Sequence, residues 1–374
     1  MGKVDSGVVR LRGKDGLKAV DYYLVVPVLT MTVIGLYVLQ KVLSKGYAAY
    51  PGNYYRQIVA TVGGIIAALI ISVLDEHLLK VLGRIIYVAA LFLLILVPID
   101  GYSLADTWGA DSWLKLPVIG NFQPSELAKI GLIMMAADIF EAMHNKEVTL
   151  LKGFGRMAAV YAPPMLLILA QPDFGTAMVI IFTFVCMLFA WGVRYRYFLL
   201  ASSSLVVVIV PLVWTFYLKP YQKARILSLL FQGSSPRSEY NLQQSKLAIA
   251  SGGLSGNHTG ILTPVPVKES DFIFSAISEH MGFIGTTAVI LLAFFFLCRC
   301  LYVAAKIPSK TYSYMLTGFT GYFAFHYIEN LGMSVGLLPI TGIPLPFISL
   351  GGTAMLINYI AFGVILNISI NRNM

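Results

Sequence analysis

Long and nearly uninterrupted runs of apolar residues recur along this chain, and each can cross the roughly 30 Å hydrocarbon core of a bilayer. The runs do not alternate with polar residues, which excludes a transmembrane β-barrel. Only 12% of the residues are charged, whereas about 25% is usual in soluble domains. We therefore predict a single all-α polytopic membrane domain over residues 1–374, with about ten transmembrane helices near 22–40, 57–74, 81–99, 124–143, 157–171, 175–192, 198–218, 276–302, 312–331 and 352–370.

The distribution of lysine and arginine predicts the orientation of these helices. One set of alternating segments is rich in both residues. The short loops of the opposite set contain only Lys41, Lys45, Arg56 and Lys115. The positive-inside rule then places both termini in the cytoplasm, with residues 1–21 as a cytoplasmic segment. The formal net charge of +9 follows from this placement and does not require a nucleic acid as partner.

The cysteines and histidines do not form a recognisable metal-binding pattern. Cys186, Cys298 and Cys300 lie in or beside apolar segments near predicted cytoplasmic ends, which argues against structural disulfides. Cys298 and Cys300 lack a second cluster to complete a zinc site, so ordinary helix positions are the favoured interpretation. No histidine pair has the spacing of a zinc protease, and no glycine-rich loop matches a nucleotide-binding signature.

One connection is far longer than the few residues usual between helices. Residues 219–275 have mixed polarity and contain glycine- and proline-rich stretches, so we predict a large extracytoplasmic loop between the seventh and eighth helices. A loop of this length is exempt from the charge count that sets orientation. Asp271 stands at its end, where the chain is predicted to re-enter the membrane.

A pair of opposite charges interrupts the fourth apolar run. Glu126 and Lys129 are three residues apart, which places them on one face of a helix. An isolated ion inside a membrane span is costly, so we predict that the two side chains pair with each other. Two interpretations remain open at this point: a salt bridge that fixes helix packing, and a lining of a substrate cavity.

Two aspartates at predicted outer helix ends also have two interpretations each. Asp173 is either the N-cap of the helix that starts near Gly175 or a functional carboxylate. Asp271 is either an N-cap or a partly desolvated carboxylate that is suited to act as a general base. If the helix begins as early as Asp271, this residue shares a helix face with Ser275. Glu279 follows two turns further on. The residues therefore indicate a membrane protein whose polar cavity opens outward.

The sequence resembles the SEDS family (shape, elongation, division and sporulation), and its RodA branch more than its FtsW branch. The resemblance extends from about residue 20 to the C-terminus. The motifs that carry it occur in family order and are QPSELAKI (123–130), QPDFGTA (171–177), KPYQKARI (219–226), YNLQQSKLAIASGGLSG (240–256), DFIFSAISEHMGFIG (271–285) and NLGMSVGLLPITGIPLPFISLGGT (330–353).

This resemblance implies a peptidoglycan glycosyltransferase in the bacterial cytoplasmic membrane, which polymerises lipid II at the outer face. Asp271 matches the essential loop aspartate of the family and would take the proton from the attacking sugar 4-hydroxyl. Arg225 and Lys129 would stabilise the departing diphosphate. The other substrate-binding residues that the resemblance implies are Glu126, Asp173, Gln244, Ser245 and Trp113.

The resemblance also implies partners, namely a class B penicillin-binding protein that crosslinks the strands, other elongation or division proteins, and membrane lipid. A divalent cation such as Mg²⁺ or Mn²⁺ bridging the diphosphate fits the family, although no ligand set stands out in the sequence. Two other functions fit the same polar residues. One is a lipid II flippase, whose site is expected near the bilayer midplane, and the other is a catalytically silent scaffold.

The chain departs from the family pattern near the proposed base. VPVKESDFIF (265–274) replaces the usual lead into the aspartate, and GNHTG (256–260) replaces a more glycine-rich turn. Ser112 and Leu350 stand where the family usually has arginine and tyrosine, and Glu279-His280 stands where two glutamates are common. These changes favour the interpretation as a catalytically silent scaffold. The motifs that match the family favour an active enzyme.

Overall fold

The computed structural model describes residues 20–44, 51–100, 112–116, 120–197, 210–218, 220–227 and 236–371. A two-stranded antiparallel hairpin of β1 (Leu114–Leu116) and β2 (Gly120–Phe122) directly precedes the fourth helix. Short helical turns occupy Val210–Leu212 and Val213–Tyr217. The helices are α1 (Tyr22–Ser44), α2 (Pro51–Ser72), α3 (Glu76–Asp100), α4 (Pro124–His144), α5 (Leu150–Ala170), α6 (Phe174–Trp191), α7 (Pro220–Leu227), α8 (Pro236–Ser251), α9 (Ile273–Lys306), α10 (Lys310–Val335) and α11 (Gly352–Ile370).

Within the described ranges, seven helices are long and apolar enough to cross a membrane, and they are α1, α2, α3, α5, α6, α9 and α11. The helices α4 and α10 are also long, with 21 and 26 residues, but they carry polar side chains that include Glu126, Lys129 and His326. The predicted all-α polytopic membrane fold is confirmed. The predicted seventh span, 198–218, is described only from residue 210 onward, so the count of ten and the orientation of the helices stay predictions.

The helices form layers around α11. Of the residues in its apolar stretch, 78% are buried, whereas only 22% are buried in the corresponding stretch of α5. Large aromatic side chains fill the centre, and the rings of Phe323 and Phe347 stack with their centroids 5.2 Å apart. Helix α2 packs closely on α11, because Gly363 leaves room for the backbone of Ala68. The apolar faces of the helices at the periphery of the bundle, such as α5, are therefore available to lipid.

Helix α9 is longer than predicted and contains a break. It has 34 residues, and Gly282 within it has the non-helical dihedrals φ 64° and ψ −162°. The loop that follows α8 supplies the missing hydrogen bonds, since Phe283 N donates to Gly253 O (2.9 Å) and Ile284 N to Leu254 O (3.1 Å). A side chain at position 282 would clash with this loop, because its Cβ would lie 2.5 Å from Leu254 O. Glycine is therefore required both by the backbone conformation and by the contact.

Several helix ends converge at the end of the bundle that the charge distribution predicts to be the outer one. Thr353, at the start of α11, donates a hydrogen bond to Asn121 O in β2 (2.8 Å). Gln57 of α2 donates to Ser349 O (3.0 Å) and accepts from Gly351 N (3.0 Å). These contacts join the hairpin before α4 and the first turns of α2 to the 349–353 segment at the start of α11.

Candidate functional site

Asp173 connects the starts of α4 and α6. As the N-cap of α6, its carboxylate accepts hydrogen bonds from Thr176 N (3.0 Å) and the Thr176 hydroxyl (2.8 Å). It also accepts from Gln123 Nε2 (2.9 Å) and from the Ser125 hydroxyl (3.4 Å) at the start of α4. The cap interpretation of Asp173 is therefore confirmed, and the carboxylate also holds two helices together.

Glu126 and Lys129 form the predicted ion pair inside the bundle. Lys129 Nζ lies 2.6 Å from Glu126 Oε1, and the two residues are only 3% and 5% exposed. Lys129 Nζ also lies 3.3 Å from Nε2 of His326 on α10. The His326 Nδ1 lies 2.9 Å from Tyr322 O, an acceptor, so the N–H is on Nδ1 and Nε2 accepts from the lysine. These contacts favour the packing interpretation, and a substrate contact by either residue stays a prediction.

Asp271 lies directly before α9 and is 8% exposed. Phe272 is the N-cap of the helix, so the N-cap interpretation of Asp271 is wrong. The helix begins at Ile273, too late for Asp271 to share a helix face with Ser275, whose hydroxyl donates to Phe272 O (2.7 Å). The Ser270 hydroxyl donates to Asp271 Oδ1 (3.1 Å). Asp271 is thus held by a turn and not by a helix.

The backbone around Asp271 is fixed by two residues that the sequence did not single out. Asn330 of α10 donates from Nδ2 to both Asp271 O and Ile343 O, at 2.8 Å each. The Ser349 hydroxyl donates to Ser270 O (2.7 Å). Both residues lie within the string 330–353 quoted for the family resemblance, but nothing in that string indicates which residue each would contact.

The 341–343 segment lies between Asp271 and the first turn of α6. A Cβ on Gly342, whose φ is +80°, would lie 3.2 Å from Asp271 Oδ2. On the other side, a Cβ on Gly175, two residues after Asp173, would lie 3.5 Å from Ile343 and 3.6 Å from Thr341. Asp271 and the first turn of α6, which Asp173 caps, are therefore both neighbours of this short segment.

A second buried ion pair joins the loop before Asp271 to α9. Lys268 Nζ contacts Glu279 Oε2, and the two side chains are 4% and 0% exposed. Glu279 Oε1 accepts from Thr263 N (2.6 Å), and Lys268 donates to Thr263 O (3.1 Å). Burial is the largest influence and lowers the pKa of Lys268, whereas its hydrogen bond to Glu279 acts in the opposite direction. The Glu279 carboxylate is therefore engaged by the loop that precedes Asp271.

The remaining predicted residues lie on the loop helices and the hairpin. Gln244 is half-buried on α8, while the fully buried Ser245 donates to Ser334 O on α10 (2.8 Å). Trp113 is half-buried beside β1. Arg225 belongs to α7, and its side chain lies outside the described residues. The structure thus places the Glu126–Lys129 pair on α4 and ties Asp173 to the start of that helix, while Asp271 lies beside Gly342 of the 341–343 segment.

The described part of the chain contains no preformed metal site. Among the residues that the structure describes, no three His, Cys, Asp or Glu side chains are grouped so that they would hold one. Magnesium is often bound by one or two carboxylates together with substrate phosphates. The Mg²⁺ or Mn²⁺ expected from the sequence stays a prediction, and such an ion would need ligands from the substrate.

Comparison with known proteins identifies close relatives over nearly the whole chain. The FtsW/RodA/SpoVE family, described as "cell cycle protein", matches residues 20–374. The peptidoglycan glycosyltransferase MrdB of Escherichia coli K12 is 33% identical over 297 residues, covering 77% of this chain and 78% of the relative. Peptidoglycan glycosyltransferase RodA of Treponema pallidum is 30% identical over 435 residues, covering 95% and 98%.

Solved structures agree with this assignment. A chain from a structure that describes the coordination of polymerization and crosslinking by a peptidoglycan synthase complex is similar with a TM-score of 0.80 at 30% identity. The similarity covers 95% of this chain and 98% of that one. The rod shape determining protein RodA of Thermus thermophilus is similar with a TM-score of 0.69 at 28% identity, again covering 95% and 98%. The chain is a multi-pass membrane protein that belongs to the FtsW/RodA/SpoVE family, as the resemblance predicted.

Proposed function

We propose that this protein is a peptidoglycan glycosyltransferase that polymerises lipid II into glycan strands at the outer face of the bacterial cytoplasmic membrane. The activity is the one named for the relatives from Escherichia coli and Treponema pallidum. The observation that carries the proposal is the position of Asp271. It lies at the junction of the loop and α9, and backbone contacts from α10 and the 341–350 segment hold it in place.

In the proposed reaction, Asp271 acts as the general base. Its carboxylate takes the proton from the 4-hydroxyl of the attacking sugar as that oxygen forms a bond to C1 of the second sugar. The bond from C1 to the diphosphate oxygen breaks at the same time, so the configuration at C1 inverts and no covalent enzyme intermediate is needed. The lipid tail lies in a groove between helices, which keeps the reacting sugars at the membrane surface.

Positive charge near the diphosphate completes the proposed site. Arg225 on α7 is the proposed partner of the leaving group, because an arginine can bind phosphate oxygens through two parallel hydrogen bonds. Lys129 is already paired with Glu126, so we propose that its charge acts over a longer distance. Trp113, Gln244, Asp173 and Ser245 are proposed to shape the surroundings of the sugars and peptide.

A crosslinking partner is part of the same proposal. The similar chain with a TM-score of 0.80 comes from a peptidoglycan synthase complex in which polymerization and crosslinking are coordinated. We propose that this protein works in the same way beside a class B penicillin-binding protein, together with other elongation or division proteins. Glycan strands would then be crosslinked as they leave the polymerase.

A flippase and a silent scaffold are the competing functions, and one experiment separates all three. The purified protein in lipid nanodiscs is mixed with labelled lipid II, with and without a class B penicillin-binding protein, and the products are separated by size. Polymer formation supports the glycosyltransferase. If no polymer forms under either condition, the protein is tested in sealed vesicles, where transfer of lipid II between leaflets indicates a flippase and its lack indicates a scaffold.

Replacing Gly342 by alanine is expected to lower polymerisation at least 10-fold. The new Cβ would press on the Asp271 carboxylate at 3.2 Å, and φ of +80° also strains any L-residue. Gly260→Ala is the matched control, because its φ is +76° but nothing lies within 4 Å of the added Cβ. Initial rates of polymer formation are measured for both variants. Equal rates in the two would show that the contact with Asp271 is irrelevant.

A further inference from the structure

The turn that carries Asp271 is strained at its first residue. Val267 has φ 55°, in the left-handed region that β-branched residues rarely adopt. Its carbonyl oxygen accepts hydrogen bonds from Ser270 N and Phe272 N, both at 3.3 Å, which closes the turn around Asp271. A conformation of this kind persists only when its surroundings enforce it, and such residues cluster at functional sites.

The second half of the turn is enforced through its backbone. Asn330 holds Asp271 O, the Ser349 hydroxyl holds Ser270 O, and Leu350 N donates to Glu269 O at 2.9 Å. These contacts begin only at Glu269. They therefore leave the strained residue Val267 and its neighbour Lys268 to be fixed by something else.

The first half of the turn is fixed by the side chain of Lys268. This lysine directly follows Val267 in the chain and forms the buried ion pair with Glu279 of α9. The pair is also tied to the preceding loop, since Thr263 contacts both members and the Ser251 hydroxyl donates to Glu279 Oε1 (3.4 Å). A buried ion pair is weak evidence for stability, because removing two charges from water offsets most of their attraction. Its geometry, however, permits little movement of the residues that carry it.

We infer that Lys268 and Glu279 are positioning residues for Asp271. Their ion pair holds the strained turn 267–272 in the conformation that places the Asp271 carboxylate beside Gly342. The inference rests on the proposed function of Asp271. Lys268 is 4% exposed and its ammonium faces Glu279, so it does not serve as a ligand for the diphosphate. It acts through the turn, three residues before the base.

The test separates positioning from folding by combining three substitutions. Lys268→Met and Glu279→Gln each leave one polar partner unpaired, whereas the double variant leaves no buried charge without a counter-ion. Val267→Gly removes the need for enforcement, because glycine adopts φ 55° without strain. Lys246→Met, at an exposed lysine on α8, is the matched control. Thermal midpoint, kcat and KM for lipid II are measured for each protein in nanodiscs.

The double variant is expected to have a thermal midpoint close to that of the wild type but a kcat that is about 10- to 100-fold lower, with KM changed less than threefold. Adding Val267→Gly to it is expected to restore kcat at least fivefold without a change in thermal midpoint. Lys246→Met should behave as wild type.

Two results would overturn the inference: wild-type kcat in the double variant, or no recovery of kcat with Val267→Gly. Asp271→Asn, assayed in parallel, reports on the proposed function itself. If Asp271→Asn polymerises lipid II normally, the proposed base is wrong. If it is inactive while the double variant is fully active, only the positioning role of Lys268 and Glu279 is wrong.

Discussion

Asp271→Asn is expected to lower the rate of lipid II polymerisation by about 10²- to 10⁴-fold, which is the usual contribution of a general base. Asparagine has nearly the same shape as aspartate, keeps an oxygen that can accept from the Ser270 hydroxyl, and leaves the contact from Asn330 to the backbone carbonyl intact, so the fold is expected to survive. The variant should therefore keep its thermal midpoint and its affinity for lipid II. The measurement is the initial rate of polymer formation at saturating substrate, with binding followed separately.

Glu269→Gln is the control for this experiment. It removes a carboxylate two residues away, in the same turn, and leaves the backbone contact from Leu350 N to Glu269 O intact. Its rate should stay within about threefold of the wild-type rate, because it supplies no base in the proposed reaction. A rate for Asp271→Asn that is equally close to wild type would remove the chemical basis of the proposal.

Breaking the pair between Glu126 and Lys129 is expected to cause the largest loss of stability. Removal of one member of a buried ion pair costs about 3–5 kcal/mol, because the remaining charge has no partner. The remaining ion would here lie inside the membrane bundle, with residue exposures of 5% and 3% for the glutamate and the lysine. Glu126→Gln and Lys129→Met should each lower the thermal midpoint strongly, whereas the double variant should recover most of the loss.

Glu76→Gln is the matched control for the buried pair. Glu76 contacts Lys80 at 3.1 Å, but its side chain is 46% exposed at a helix end, so its loss should cost at most about 1 kcal/mol. The double variant at 126 and 129 also tests whether these residues contact substrate. A stable but inactive double variant would assign them a role in binding or catalysis, whereas a stable and active one would leave them as packing residues alone.

The structure shows where prediction from the sequence succeeds. The membrane helices follow from local runs of apolar residues, and the pairing of Glu126 with Lys129 follows from their spacing of three residues on one helix. The cap formed by Asp173 is equally local, since it accepts from Thr176 N. Each of these contacts joins neighbours in the chain, so helix geometry alone is enough to predict them.

The contacts around Asp271 depend on residues far apart in the chain, and local patterns do not predict them. Asn330 donates a hydrogen bond to the carbonyl oxygen of Asp271, which is 59 residues away in the chain. Ser349 donates one to the carbonyl oxygen of Ser270, which is 79 residues away. Lys268 and Glu279 are separated by the non-helical residues around Asp271, so helix spacing says nothing about their pairing. The position of Asp271 at the loop end could be predicted, but the way in which it is held could not.

The break at Gly282 has a consequence for engineering this protein. Because the backbone of residues 253–254 completes the hydrogen bonding of α9, we expect the loop that follows α8 and the part of α9 before Gly282 to behave as one structural unit. Chimaeras between relatives should therefore place their junction beyond Ile284, in the uninterrupted part of the helix. A graft that ends at the loop boundary would leave amide groups of the recipient without acceptors at the lipid interface.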